Sequence, residues 1–180
     1  MSTAFSIKQI ESSDLDNLKQ ITNTSFPEFF RSIAAQSRYS EGQVLVSEAQ
    51  GTTVGFIKLA KFHLDGKFGC IFGVAVIKQL RRKGIATGLV KAGAKSLEYG
   101  GAIAVFATAE RWNFASLAVF KKTGFRRMGF LSLWRLFGWR IFEFYRDIRF
   151  DFGQIVLMRA ILQRRSTNSF LTQHPLFQSG

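Results

Sequence analysis

The chain has 180 residues, of which 47% are hydrophobic and 21% charged, with 2 prolines. That is the length and composition of one folded domain and excludes a disordered, collagen-like or linker-type chain. It carries 25 Lys and Arg against 12 Asp and Glu, a net charge of +13, which favours acidic partners such as phosphates, nucleic acid or anionic lipid without choosing among them.

Phe5 to Ile10 alternates apolar and polar residues as a half-buried strand does. Ser13 then offers an N-cap to a helix carrying Leu15, Leu18 and Ile21. Pro27 precedes a short run with Phe29, Phe30, Ile33 and Ala34, read as a second helix with proline in its first turn. From Gln43 the pattern becomes β-type. VLVSEA and VGFIKLAKF are separated by Gln50-Gly51-Thr52, and Asp65-Gly66 predicts a hairpin before FGCIFGVAVI. A helix follows, with Ile85, Leu89, Val90, Gly93, Ala94 and Leu97 on one face and an end at Gly100-Gly101. AIAVFATA reads as a buried strand, NFASLAVFKKT as a helix, FRRMGF as a strand after Gly124, and FGQIVLMRAI as the last strand. One domain over residues 1–162 is expected, and the polar tail over 163–180 is expected to be flexible.

The single cysteine, Cys70, excludes an internal disulfide framework and a zinc site built on several cysteines, and it suggests a reducing compartment. Its apolar strand reads as the setting of an ordinary buried thiol. The first residues lack a basic n-region followed by an apolar run, and no uncharged apolar stretch approaches the roughly 18 residues of a membrane span. The expected location is cytoplasmic, with peripheral contact at the membrane as a further reading.

The most informative stretch is VAVIKQLRRKGIATGLV, in which an apolar strand runs through Arg81-Arg82-Lys83-Gly84-Ile85-Ala86 directly into a helix. Gly84 and the small Ala86 allow close approach of a ligand to the backbone. The first turn of the helix presents N–H groups that lack intrahelical partners, an anion site reinforced by three adjacent cations. The spacing is neither the Walker pattern nor the dinucleotide-binding G-x-G-x-x-G. It resembles the Arg/Gln-x-x-Gly-x-Gly/Ala signature of the Gcn5-related N-acetyltransferase superfamily. Downstream, Asn113-Phe-Ala-Ser116-Leu-Ala-Val-Phe120-Lys-Lys-Thr-Gly124-Phe125 resembles that superfamily's second helix-and-turn motif. The order of elements is similar over roughly residues 4–161.

The resemblance implies an α+β domain, a mixed, mostly antiparallel sheet flanked by helices and splayed between its fourth and fifth strands, with acetyl-coenzyme A in the gap and no metal. It further implies that Val74, Ala75 and Val76 pair with the pantetheine arm and polarise the acetyl carbonyl. The backbone amides of Arg82, Lys83, Gly84, Ile85, Ala86 and Thr87, with Arg81 beside them, would cradle the pyrophosphate. Asn113 and Ser116 would face the pantetheine. Where the superfamily usually has a proton-donating tyrosine, this chain has Phe120. For the general base, Glu110 ranks ahead of His63 and Asp65, with Thr108 able to order a water. The implied reaction is acetyl transfer to an amine acceptor by direct attack. The alternative is an acyl-coenzyme A-binding regulatory or membrane-associated module without efficient turnover.

LSLWRLFGWRIFEFYRDIRF, between the last two strands, is the chain's most individual feature. Of the 21 residues from Phe130 to Phe150, 13 are apolar or aromatic. At 100° per residue Ser132, Arg135, Arg140, Glu143, Arg146 and Asp147 gather on one side, which predicts an amphipathic helix. Three readings stand beside one another: packing on the domain or in a homodimer, a wall of an apolar substrate pocket, or an interfacial membrane segment. Nucleic acid is set aside, because charge alone supports it and no reader motif accompanies the charge.

Overall fold

The computed structural model describes residues 4–25, 42–62 and 67–161. The expected helix after Pro27, the Asp65-Gly66 turn and the tail lie outside these residues. The elements are β1 (Ser6–Gln9), α1 (Leu15–Ser25), β2 (Gly42–Ala49), β3 (Thr52–Lys61), β4 (Phe68–Val76), α2 (Ile85–Tyr99), β5 (Ala104–Glu110), α3 (Phe114–Lys122), β6 (Arg126–Arg127), α4 (Phe130–Phe137), α5 (Ile141–Asp147) and β7 (Gln154–Ala160). Among the described residues the strands form one seven-stranded sheet in the order β1-β2-β3-β4-β5-β7-β6. Every neighbouring pair is antiparallel except β4 and β5. The exception follows from connectivity, because α2 carries the chain back across the sheet and so returns β5 parallel to β4.

Among the described residues three buried clusters hold helices to the sheet. On one face Ile57, Leu59, Ile71, Val105 and Ala107 meet Leu89, Val90 and Ala94 of α2 and Phe120 of α3. On the other, Val46, Phe56 and Ala75 meet Leu18 and Ile21 of α1. Further along that second face, Phe62, Cys70, Phe106 and Val156 meet Leu133, Ile141, Phe144 and Ile148 of the insertion. The apolar positions expected along α2 are all buried. The start of α1 corrects the expected Ser13 cap. A 3-10 turn over Ser12–Asp14 precedes the helix, and the Asp14 carboxylate accepts from Glu11 N–H at 3.0 Å and from the Thr53 hydroxyl at 2.6 Å. A buried carboxylate with two donors organises this corner more strongly than a serine hydroxyl can.

The expected single amphipathic helix over 130–150 is instead two short helices joined by a 3-10 turn at Gly138–Arg140. Gly138 breaks it, with φ 55 and ψ −135, a conformation that side chains disfavour. Phe144 lies at the centre of the packed face. Its ring centroid is 4.4 Å from that of Phe137, 5.0 Å from Phe106 and 5.5 Å from Phe62. Burying one such ring contributes about 1.5–3 kcal/mol. The strand expected over FRRMGF shortens to Arg126–Arg127, because the chain must leave the sheet to enter α4 at Phe130. No helix among the described residues is long and apolar enough to cross a membrane.

Candidate functional site

The site is built on a failure of pairing. β4 and β5 run side by side from Phe68 opposite Ala104 to Ile71 opposite Ala107, and there their ladder ends. β4 continues against β3 until Val76 faces Gly55, while β5 continues against β7 until Glu110 faces Gln154. The register between β3 and β4 shifts where the strands part: Leu59 faces Ile71 but Lys58 faces Gly73, leaving Phe72 as the extra residue of a bulge. A bulge bends its strand and increases its local twist, which swings Gly73–Val76 away from β5 and leaves a wedge between two backbone edges.

Two helix N-termini flank the open end of the wedge. After β4 the chain makes a 3-10 turn at Lys78–Leu80, and α2 begins at Ile85 with Gly84 as its N-cap. Gly88 N–H is bonded to Gly84 C=O at 2.9 Å, so the amides of Ile85, Ala86 and Thr87 precede the intrahelical ladder. Arg82 has φ 64 and Gly84 φ 86. Two left-handed residues within three positions make successive N–H groups converge, the backbone concavity that receives anions. Left-handed backbone at an arginine costs about 1–2 kcal/mol, strain of the kind that collects at binding loops. Nothing lies within 4 Å of the Cβ position at Gly84, so the space beside the cap is open. These residues fit a pyrophosphate.

The predicted site residues fall in distinct places. Arg81 turns its Nε–H to Val76 C=O at 3.1 Å, bracing the loop against β4. Arg82, Lys83 and Gly84 are exposed, and Ile85 anchors the helix start in the core. Asn113 caps α3, its Oδ1 accepting from Ser116 N–H at 3.1 Å, and both residues are half-buried beside the wedge. Phe120 is buried, its ring centroid 5.1 Å from that of Phe125. Glu110 is the exposed last residue of β5. Strand alternation, with Ala107 and Ala109 in the α2 and α3 cluster, puts Thr108 and Glu110 on the opposite face, shared with α1 and the insertion. His63 and Asp65 lie outside the described residues. Cys70 is buried, and burial, with Asp147 adding to it, raises its thiol above the ordinary range, the setting of an unreactive thiol.

One residue escaped the sequence reading. Lys58 is buried in the middle of β3, opposite Gly73 at the bulge, and by alternation on the same face as Phe56, Thr108 and Glu110. Burial, and then the nearby Arg149 charge, bring its ammonium down from 10.5 to about 8. The signal was present in VGFIKLAKF, where a lysine interrupts a run apolar enough to be buried. Among the described residues no three His, Cys, Asp or Glu side chains gather to hold a metal ion.

Comparisons agree with this geometry. A family model described as "Acetyltransferase (GNAT) family" matches residues 9–125. The fold is similar to that of the ribosomal-protein-S18-alanine N-acetyltransferase from Escherichia coli, with 16% identity and TM-score 0.67 over 93% of this chain and 100% of that one. It is also similar to an IAA acetyltransferase from Bacillus cereus, with 20% identity and TM-score 0.64 over 88% and 100%. A third similar structure is yncA, a putative acetyltransferase from Salmonella typhimurium solved with its cofactor acetyl-CoA, with 15% identity and TM-score 0.64 over 93% and 99%. No curated protein sequence matches this chain. With its family model spanning well over half the chain, through both the loop before α2 and the α3 motif, the protein belongs to the GNAT acetyltransferase family.

Proposed function

We propose that this chain is an acetyl-CoA-dependent N-acetyltransferase that passes the acetyl group to an amine in a ternary complex. The observation that carries the reading is the end of the β4–β5 ladder at Ile71 and Ala107, which opens toward the left-handed Gly84 at the start of α2. Support also comes from similar folds: yncA was solved with acetyl-CoA, and the Escherichia coli enzyme is named for acting on the alanine of a ribosomal protein.

In this reading the amides of Arg82 to Thr87 hold the pyrophosphate. The free edge of Val74–Val76 takes the pantetheine as an added strand and directs N–H groups at the acetyl carbonyl. Asn113, Ser116 and Phe120 line the α3 side. When bound, acetyl-CoA supplies a thioester, an acyl group activated for attack. The acceptor approaches from the face shared by α1 and the insertion, where Glu110 takes a proton from the incoming ammonium and Thr108 orders the water between them. Lys58 and Arg149 place positive charge on that face, which favours the neutral amine, the nucleophilic form. The amine nitrogen forms the new bond to carbon as the carbon–sulfur bond breaks and gives its remaining extra proton to water, and the sulfur leaves as a thiolate that takes a proton from water. Positioning and carbonyl polarisation supply most of the acceleration.

Phe120 favours a second reading, an acyl-CoA-binding module without turnover, because its ring has no proton to give. Release of free thiol across a broad panel of amines separates the two. The enzyme yields stoichiometric thiol and acetylated amine with at least one of them, whereas the module binds acetyl-CoA and releases no thiol with any.

A further inference from the structure

The insertion has an outer face that the site does not use. Its inward side chains, Leu133, Ile141, Phe144 and Ile148, are buried against the sheet. Facing away are Phe130 (55% exposed), Leu131 (72%), Trp139 (79%) and Phe142 (67%). The half-buried Trp134 links two of them. Phe130 and Trp134 have ring centroids 5.9 Å apart, Trp134 and Trp139 4.8 Å, and Phe142 stands three residues beyond Trp139. Each helix pairs an exposed apolar residue with an exposed arginine four positions later, Leu131 with Arg135 and Phe142 with Arg146. That spacing places both on one side of the helix. Arg126 and Arg127, exposed on β6, lead directly into α4.

Large rings and arginines sharing one side is not what a solvated surface needs, since exposed apolar patches on single chains mark docking sites. Charge selects the occupant. The exposed charges beside the rings are mostly Arg126, Arg127, Arg135, Arg140 and Arg146, and the acids among them, Glu143 and Asp147, are already paired with Arg140 at 3.6 Å and Arg146 at 3.9 Å. A second copy seated on this face would therefore bring net positive charge to net positive charge. An anionic bilayer accepts both features, the rings at the headgroup–acyl boundary and the guanidinium groups among the phosphates. We propose that the outer face of α4–α5 docks this protein on an anionic lipid surface, with Phe130, Leu131, Trp139 and Phe142 inserted and Arg126, Arg127 and Arg135 at the headgroups. The docking is independent of the acetyl-transfer reading.

Sedimentation of the full chain with vesicles tests it. With phosphatidylcholine vesicles containing about a third phosphatidylglycerol, the wild type binds at least tenfold more strongly than with phosphatidylcholine alone, and 0.5 M salt weakens the binding. The Trp139→Ser, Phe142→Ser double variant, altered at mostly exposed positions and shown to fold by a cooperative thermal transition within a few degrees of the wild type, loses at least tenfold in binding. Arg135→Gln loses roughly fivefold on anionic vesicles only. Failure of the wild type to bind anionic vesicles overturns the proposal. So does equal binding by the double variant, and so does a concentration-dependent dimer abolished by the same two substitutions, which assigns the face to a second copy. Thiol release with a dissolved amine reports separately on the catalytic reading.

Discussion

Arg81 and Val76 are joined across the turn that leaves β4: the Arg81 Nε–H donates to the Val76 carbonyl oxygen at 3.1 Å. The bond uses the last carbonyl of the strand whose inner edge is freed by the bulge, and it braces the loop that we propose holds the pyrophosphate. The arginine of the signature thus acts here on the protein's own backbone.

Arg81→Ala removes that brace while leaving the loop sequence otherwise intact. Loss of a hydrogen bond to a charged donor is worth about 1.5–3 kcal/mol, and because Arg81 is exposed the lower end applies. Acetyl-CoA affinity should fall about tenfold by calorimetric titration. Unchanged affinity would mean that the brace does not shape the binding loop.

Gly84→Ala isolates conformation from crowding, because no atom lies within 4 Å of the Cβ position while φ is 86. A residue with a Cβ in left-handed backbone costs about 1–2 kcal/mol. The thermal midpoint should drop by a few degrees, and acetyl-CoA binding should weaken more than stability does as the amides lose their alignment. Gly84→Glu should abolish binding by adding a like charge beside the pyrophosphate. Full binding by the glutamate variant would remove α2 from the cofactor site.

Phe120→Tyr restores a phenol at the position where the resembling superfamily carries its acid. If water already protonates the thiolate and positioning dominates, kcat should stay within about threefold of the wild type, against the 10²–10⁴-fold that general acid catalysis can contribute. A hundredfold rise would show that proton supply limits this chain.

Lys58 makes a prediction about pH. Its ammonium titrates at about 8 in the folded chain against 10.5 ordinarily. Below pH 8 both states hold the proton, and the folded state carries a buried charge. Between about pH 8 and 10.5 the unfolded state binds more protons, so stability rises with pH across that window. Lys58→Met should remove this contribution, making stability less dependent on pH from 8 to 10.5 in urea unfolding. Identical slopes in the two proteins would contradict the burial of this charge.

Much of the architecture was legible because it rests on local chemistry. The α2 face could be read from apolar spacing, and the start of α2 from Gly84 placed before a helical run. What was not legible depends on long-range pairing. The Phe72 bulge that opens the sheet is a register shift against β3, and register is a property of two strands. Lys58 became interpretable only once that register placed it opposite Gly73. The insertion misled for a different reason: its apolar period runs through Gly138, so composition implied one helix, whereas a single glycine with φ 55 divides it in two and decides which rings face out.

We propose that the wedge beyond Ile71 and Ala107, opening toward the start of α2, holds acetyl-CoA. Amide hydrogen exchange measured with and without coenzyme A tests it most directly. Coenzyme A should slow exchange at Val74–Val76 and at Arg82–Thr87 and leave α4 and α5 unchanged. Protection confined to other elements, or none at saturating coenzyme A, would contradict it.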